Sequence, residues 1–273
     1  MRTTIKKSRK TAIYLPLWGR WALVAVTVAA LIAGVIVVTA PAEHYRPPLV
    51  DNPYDPTDFV LEDGFLSCAT GKTILGIDVS EYQQTIDWEA VKNAGVEFVF
   101  IRVGWRGISE GALSADKRAQ EYYQGAKAAG LLVGGYFFSQ AIDPQEAEQE
   151  AAFALEQVKG WELDLPLVYD WEYAGENART ANMDRKTLTE CTRVFCRRVE
   201  EAGLTPMFYF NASQGLHLLK LEELTEFPMW LAQYKDAMTF PHRVDFWQYT
   251  GEGSVPGIEV PVDLNLWFTE HPA

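Results

Sequence analysis

From residue 73 to residue 266 the chain alternates short apolar runs with longer helix-patterned segments, and this alternation limits the fold more than any other feature. Apolar runs at 74–78, 96–103, 131–138, 165–172 and 207–210 have strand length and strand composition. Between them, 88–94, 115–129, 144–158 and 185–202 read as helices. Three of these are closed by Gly95, Gly130 and Gly203, and the fourth opens on Pro144. Strands alternating with helices are the sequence mark of a parallel sheet with crossover helices. The last third changes character: 229–234, 244–249 and 262–266 read as strands with little room for helices among them. The fold expected is an α/β, TIM-like barrel, irregular, of the (β/α)5(β)3 kind, over residues 73–270.

Acidic residues are placed unevenly on this frame. Asp78, Asp170, Glu172 and Asp263 are all expected at, or just past, the C-terminal ends of strands. Solvated surface acids would favour helices and loops instead. In barrels of this class the active site is built at that face, from several strand ends. Asp170 and Glu172 are two apart on one strand, so both side chains leave the same face, with backbones about 6.7 Å apart at ~3.3 Å per residue. Two acids that close together suit glycoside hydrolysis, in which one carboxyl is kept protonated by desolvation and by its neighbour.

The charge of the chain divides sharply. Residues 1–40 hold six Lys/Arg and no acid, leaving 18 basic against 37 acidic residues in 41–273, a net of −19. Such a body repels phosphates, which argues against nucleic acid as a partner. Residues 21–40 are an uncharged apolar run of 20, which at ~1.5 Å per residue spans the ~30 Å hydrocarbon core of a bilayer. With the basic flank before it, the positive-inside rule places 1–20 in the cytoplasm and the body outside. The expectation is a single-pass membrane anchor. The alternative is a signal peptide cleaved near Ala40-Pro41-Ala42, with a secreted product. Residues 41–72, with five prolines, read as an extended linker. Cys191 and Cys196 lie about 140° apart on their helix and so do not face each other, Cys68 falls in the linker, and neither cysteines nor the four histidines have metal-type spacing.

Eight segments then occur together in order: Gly76-Ile77-Asp78-Val79-Ser80, Ile86-Asp87-Trp88, Phe98-Val99-Phe100-Ile101-Arg102, Gly134-Gly135-Tyr136-Phe137-Phe138, Leu167-Val168-Tyr169-Asp170-Trp171-Glu172, Trp230-Leu231-Ala232-Gln233-Tyr234, Trp247-Gln248-Tyr249 and Val262-Asp263-Leu264-Asn265. In these the chain resembles the family 25 glycoside hydrolases, lysozymes that cut the β-1,4 bond after N-acetylmuramic acid. The resemblance covers about residues 73–268 and implies the same irregular barrel.

It further implies Glu172 as general acid and Asp170 as the partner that stabilises developing positive charge, by direct attack or by orienting the sugar's 2-acetamido group. Asp78 and Asp263 match two further family acids with electrostatic and orienting roles. Tyr136, Tyr209, Trp230, Gln233, Tyr234 and Gln248 are candidate sugar contacts, since aromatic faces stack on pyranose rings and amides bind hydroxyls. One departure stands out: Phe137 replaces the His that many members carry. By alternation it faces away from Tyr136, so catalysis should survive. Trp171 should likewise point outward and pack. The expected partner is peptidoglycan glycan strands, and no cofactor is implied. A barrel that binds glycan without cutting it, and a glycosidase acting on another N-acetylglucosamine polymer, remain as alternatives.

Overall fold

A computed structural model describes residues 45–272. The core is a closed barrel of eight strands: β3 (Lys72–Val79), β4 (Phe98–Arg106), β6 (Leu132–Ser139), β7 (Leu167–Trp171), β8 (Pro206–Asn211), β9 (Met229–Ala232), β10 (Phe246–Gly253) and β11 (Val262–Glu270). Neighbours pair in that order, and β11 closes the ring against β3. Seven strands run parallel, while β11 is antiparallel to both β10 and β3.

Five helices decorate the first five strands: α1 (Trp88–Asn93), α2 (Ala119–Ala128), α3 (Pro144–Gln157), α4 (Arg185–Glu201) and α5 (Ala212–His217). Their starts are written locally, since the side chains of Asp87, Asp143 and Asp184 each accept a first-turn backbone N–H. The (β/α)5(β)3 expectation therefore holds, with adjustments at the edges. The expected helix 115–129 is shorter, because Leu113–Ala115 forms a small strand, β5, on the end of β4. Helix α5 completes the fifth unit, at residues to which no helix had been assigned.

Period-two alternation divides the core into two layers. Outward residues such as Val99, Ile101, Phe137, Tyr169, Trp171 and Phe208 pack under the helices. Inward residues fill the barrel with Phe98, Phe100, Val168, Met207, Trp230 and Phe246. Phe137 and Trp171 thus point outward, as alternation required. The rings of Phe98 and Phe100 fit only because glycine stands beside them. A Cβ on Gly76 would meet the Phe98 ring at 2.3 Å, and one on Gly134 would meet the Phe100 ring at 2.4 Å. All three cysteines are buried and free.

The linker expectation needs correction over its described part. Residues 59–68 form a β-hairpin, β1 (Phe59–Glu62) with β2 (Phe65–Cys68), turning at Asp63-Gly64 with φ of 51° and 88°. Both positive φ values suit a tight hairpin turn, and Asp-Gly favours it. Tyr54, Leu66 and Cys68 are buried in the outer core layer, where the hairpin lies against β3 and β11. Proline content argued for extension there. What outweighed it is the apolar surface of this segment. The expected cytoplasmic segment 1–20 and membrane span 21–40 lie outside the described residues. Among the described residues no helix is long and apolar enough to cross a membrane.

Candidate active site

Followed toward the C-terminal ends of the parallel strands, inward residues change from apolar to polar. Ile74 and Gly76 lead to Asp78 on β3, and Phe98 and Phe100 lead to Arg102 on β4. On β7, Val168 leads to Asp170 and then, past the strand end, to Glu172. Phe246 leads to Gln248 on β10. Strand β11 obeys the same rule in reverse, from Trp267 through Asn265 to Asp263. Asp263 was expected at a strand's C-terminal end but sits at the start of β11. Because β11 runs antiparallel, its beginning lies at the same mouth, with Asp263 opposite Asp78 in register.

These polar ends enclose one cavity of about 260 Å³, lined by all four predicted acids, Asp78, Asp170, Glu172 and Asp263. Five of the six predicted sugar contacts line it too: Tyr136, Tyr209, Trp230, Tyr234 and Gln248. Gln233 does not. It follows the end of β9, and its Oε1 accepts from the Thr239 backbone N–H at 2.7 Å, pinning the loop after the strand. Sequence reasoning missed Ser80, Tyr82, Gln83, Arg102 and Phe138, which also line the cavity. Arg102 and Phe138 were reachable by alternation, two residues beyond Phe100 and Tyr136. The residues after β3 carried no such signal.

A chain of hydrogen bonds fixes Asp78. Its Oδ2 accepts from Gln248 Nε2 at 2.8 Å and from Asn265 Nδ2 at 2.9 Å. Asn265 is itself oriented, because Trp230 Nε1–H donates to its Oδ1 at 2.8 Å. Gln248 Oε1 accepts from the hydroxyls of Tyr209 at 2.9 Å and Tyr234 at 3.1 Å. Both amides therefore have their nitrogen turned to the carboxylate. Asp170 differs: it is 5% exposed, and its Oδ1 has no hydrogen-bond partner among the described residues. Arg102 is the only cation among the described lining residues. Its guanidinium is held by Asp116 at 2.9 Å and lies over the rings of Tyr82 and Trp105.

Burial and crowding raise all four acids. Burial pushes Asp78 up to about 6, opposed by the Asn265 and Gln248 amides and reinforced by Glu172. Burial, then the charge of Asp78, pushes Asp263 up to about 8. Asp170 is raised well above the usual carboxylate range by burial, then by Glu172 and Asp78, with Arg102 opposing. Glu172 is raised by burial and by Asp263. Such a site holds protons near neutral pH and can give one to a leaving group. Among the described residues no group of three or more His, Cys, Asp or Glu is placed to hold a metal ion.

Comparison with known proteins gives a consistent picture. The sequence model for "Glycosyl hydrolases family 25" matches residues 77–258. Protein YegX of Escherichia coli K12 is 31% identical over 203 residues, which is 71% of this chain and 70% of YegX. The autolytic lysozyme of Clostridium acetobutylicum is 30% identical over 194 residues, 70% of this chain and 54% of that one. Among solved structures, the modular autolysin LytC of Streptococcus pneumoniae, in complex with a synthetic peptidoglycan ligand, aligns with a TM-score of 0.64 and 25% identity. That alignment covers 77% of this chain and 52% of LytC. The chain thus spans about half the length of the clostridial lysozyme and of the autolysin.

Proposed function

The chain belongs to glycosyl hydrolase family 25, and from that membership we propose that it is a peptidoglycan hydrolase, an N-acetylmuramidase that cuts the β-1,4 bond between N-acetylmuramic acid and N-acetylglucosamine. The observation that carries this reading is the convergence of Asp78, Asp170, Glu172 and Asp263 in one cavity with Tyr136, Tyr209, Trp230 and Tyr234 around them. A module that only held glycan would gain nothing from four acids crowded into one mouth, each raised above the usual carboxylate range. The lysozyme and autolysin names of its relatives support the same substrate.

In this reading Glu172 donates its proton to the glycosidic oxygen as the bond from that oxygen to the anomeric carbon breaks. Positive charge then develops on the sugar beside Asp170, whose ionised carboxyl stabilises it. The unpartnered Asp170 Oδ1 is an acceptor suited to the sugar's acetamido N–H. The acetamido oxygen, or Asp170 itself, closes on the anomeric carbon. Water then releases the sugar and returns a proton to Glu172. Asp78 and Asp263 hold the negative field of the site, and the aromatic rings offer stacking faces to the sugars.

Digestion of purified peptidoglycan, followed by borohydride reduction and mass spectrometry, tests the proposal. Wild-type protein should give fragments ending in reduced muramic acid, and Glu172→Gln should give none. Reduced glucosamine ends would transfer the reading to a glucosaminidase on the same scaffold. A folded wild-type protein that binds glycan without product would sink the enzymatic reading.

We also propose that residues 21–40 hold the body at the outer face of the cell membrane, where it remodels wall within reach. Support comes from the uncharged run and its basic flank. Recovery of the mature protein free in the medium, cut after Ala42, would replace this with secretion.

A further inference from the structure

The pairing of β7 runs out within the tripeptide Asp170-Trp171-Glu172. Its last partner on β8 is Tyr209, opposite Asp170, and its last partner on β6 is Ser139, opposite Trp171. Beyond those pairs, two glutamine side chains meet the next carbonyls. Gln140 Nε2 donates to the Glu172 carbonyl at 2.8 Å, and Gln214 Nε2 donates to the Trp171 carbonyl at 3.3 Å. Gln140 directly follows β6 and Gln214 lies in α5, which directly follows β8, so each amide extends its strand's side of the ladder by a rung.

Both amides are themselves held. Gln140 is fully buried, and its Nε2 also donates to the Ser139 carbonyl at 2.9 Å. Two carbonyls on one side require the NH2 there, which leaves Oε1 to accept from the Thr180 hydroxyl at 2.7 Å. The Gln140 carbonyl accepts from Arg179 Nη1 at 2.9 Å, and Arg179 Nη2 pairs with Glu146 at 2.7 Å. Beneath them, buried Glu150 accepts from Ser139 Oγ at 2.6 Å and from Arg106 Nε at 2.7 Å. On the other side, Gln214 Oε1 accepts from the Asn211 backbone N–H at 2.8 Å. The buried polar cluster behind the barrel mouth thus ends on the backbone of the residue read as the acid.

We infer that Gln140 and Gln214 are positioning residues that clamp the tripeptide from both sides and fix where Glu172 presents its proton. The inference rests on Glu172 being the general acid. A catalytic group displaced by about 1 Å can lose on the order of a hundredfold in rate, and neither glutamine lines the cavity to touch substrate.

The test uses the full chain on purified peptidoglycan, measuring kcat, KM, the pH profile and the thermal midpoint of each variant. Gln140→Met keeps volume and removes the rung. Its kcat should fall by about 10- to 100-fold with KM within about twofold. Its alkaline limb should move to lower pH, because a Glu172 freed toward solvent loses its proton more easily. Thr180→Val frees the amide without touching it and should cost a few-fold. Gln140→Glu is the rescue: protonated, it offers one O–H donor and one acceptor, so activity should return at acid pH and vanish as the new carboxyl ionises. Gln214→Met should show the smaller loss, matching its longer bond. Folded Gln140→Met and Gln140→Glu proteins with wild-type kcat and pH profile would overturn the clamp, as would equal loss in Gln140→Glu at every pH. If Glu172→Gln itself remains active, it is the assignment of the acid that fails.

Discussion

Asp78 and Asp263 stand directly opposite each other across the β3–β11 ladder, two carboxyls at the mouth of a barrel. Only an antiparallel last strand brings a residue from the start of β11 to the end of β3. Like charges opposite each other in a sheet destabilise it, and here burial adds to the cost.

That pair makes stability depend on pH with a definite sign. Asp263 is raised from an ordinary value of 3.8 to about 8, and Asp78 to about 6. Between those limits the folded chain binds more protons than the unfolded one, so stability falls as pH rises. Asp263→Asn removes one charge and should flatten the loss between pH 5 and 8. The reading is the thermal midpoint, at about 2–4 °C per kcal/mol for a domain of this size. A variant whose midpoint keeps the wild-type slope would show that the pair is not strained.

Asn265 joins Trp230 to Asp78 with no exposure to solvent. Asn265→Leu should leave the indole N–H without its acceptor and Asp78 with one amide instead of two. Each buried group left unmet costs about 1–3 kcal/mol, so urea denaturation should show a loss in that range. The pKa of Asp78 should rise further, because an amide that favours its anion is gone. Unchanged stability would mean that water replaces the side chain.

Much of this was legible in the sequence because it rests on period-two alternation. Alternation separated Trp171 and Phe137 from the cavity and put Asp170 and Glu172 on one face. It also carried Arg102 and Phe138, which went unread because one is a lone charge in an apolar run and the other looks like core. What sequence could not show is contact between distant segments. Nothing local to Gln140 or Gln214 says that their amides end on the Trp171 and Glu172 carbonyls. The direction of β11 was equally hidden, since residues 262–266 read alike in either sense. Gln233 misled because it shares a motif with Trp230 and Tyr234, yet the alternation that turns Trp230, Ala232 and Tyr234 inward puts Gln233 on the opposite face.

Adjacent glycines separate close packing from tolerance. A Cβ on Gly134 would meet the Phe100 ring at 2.4 Å and the Pro166 carbonyl at 2.9 Å inside the barrel. On Gly135 the nearest atoms are methyls of Val103 and Leu167 at 3.1 and 3.2 Å. Gly134→Ala should therefore lose about 1–3 kcal/mol through overpacking, or more if β6 shifts. Gly135→Ala should stay within about 1 kcal/mol, since side-chain tips can give way. Equal losses in chemical denaturation would show that the inward and outward layers are wrongly assigned.

The hairpin before the barrel makes the last prediction. Leu66 is 3% exposed, and its backbone N–H donates to the Tyr249 hydroxyl at 3.3 Å. Phe59 meets Trp247 edge-on at 5.0 Å, and the Tyr54 hydroxyl bonds His271 Nδ1 at 3.0 Å. Both Tyr249 and Trp247 lie on β10, next to Gln248, which holds Asp78. A chain begun at residue 70 would uncover this face of β10 and leave the Tyr249 hydroxyl without the Leu66 donor. It should unfold at a lower temperature than one begun at residue 45. Leu66→Ala alone should cost about 2–5 kcal/mol, as for other large-to-small changes in a core. Because β10 connects the hairpin to Gln248, its kcat should fall more steeply on warming than that of wild type. A chain from residue 70 with an unchanged thermal midpoint and activity would show instead that the hairpin only rests on a barrel complete without it.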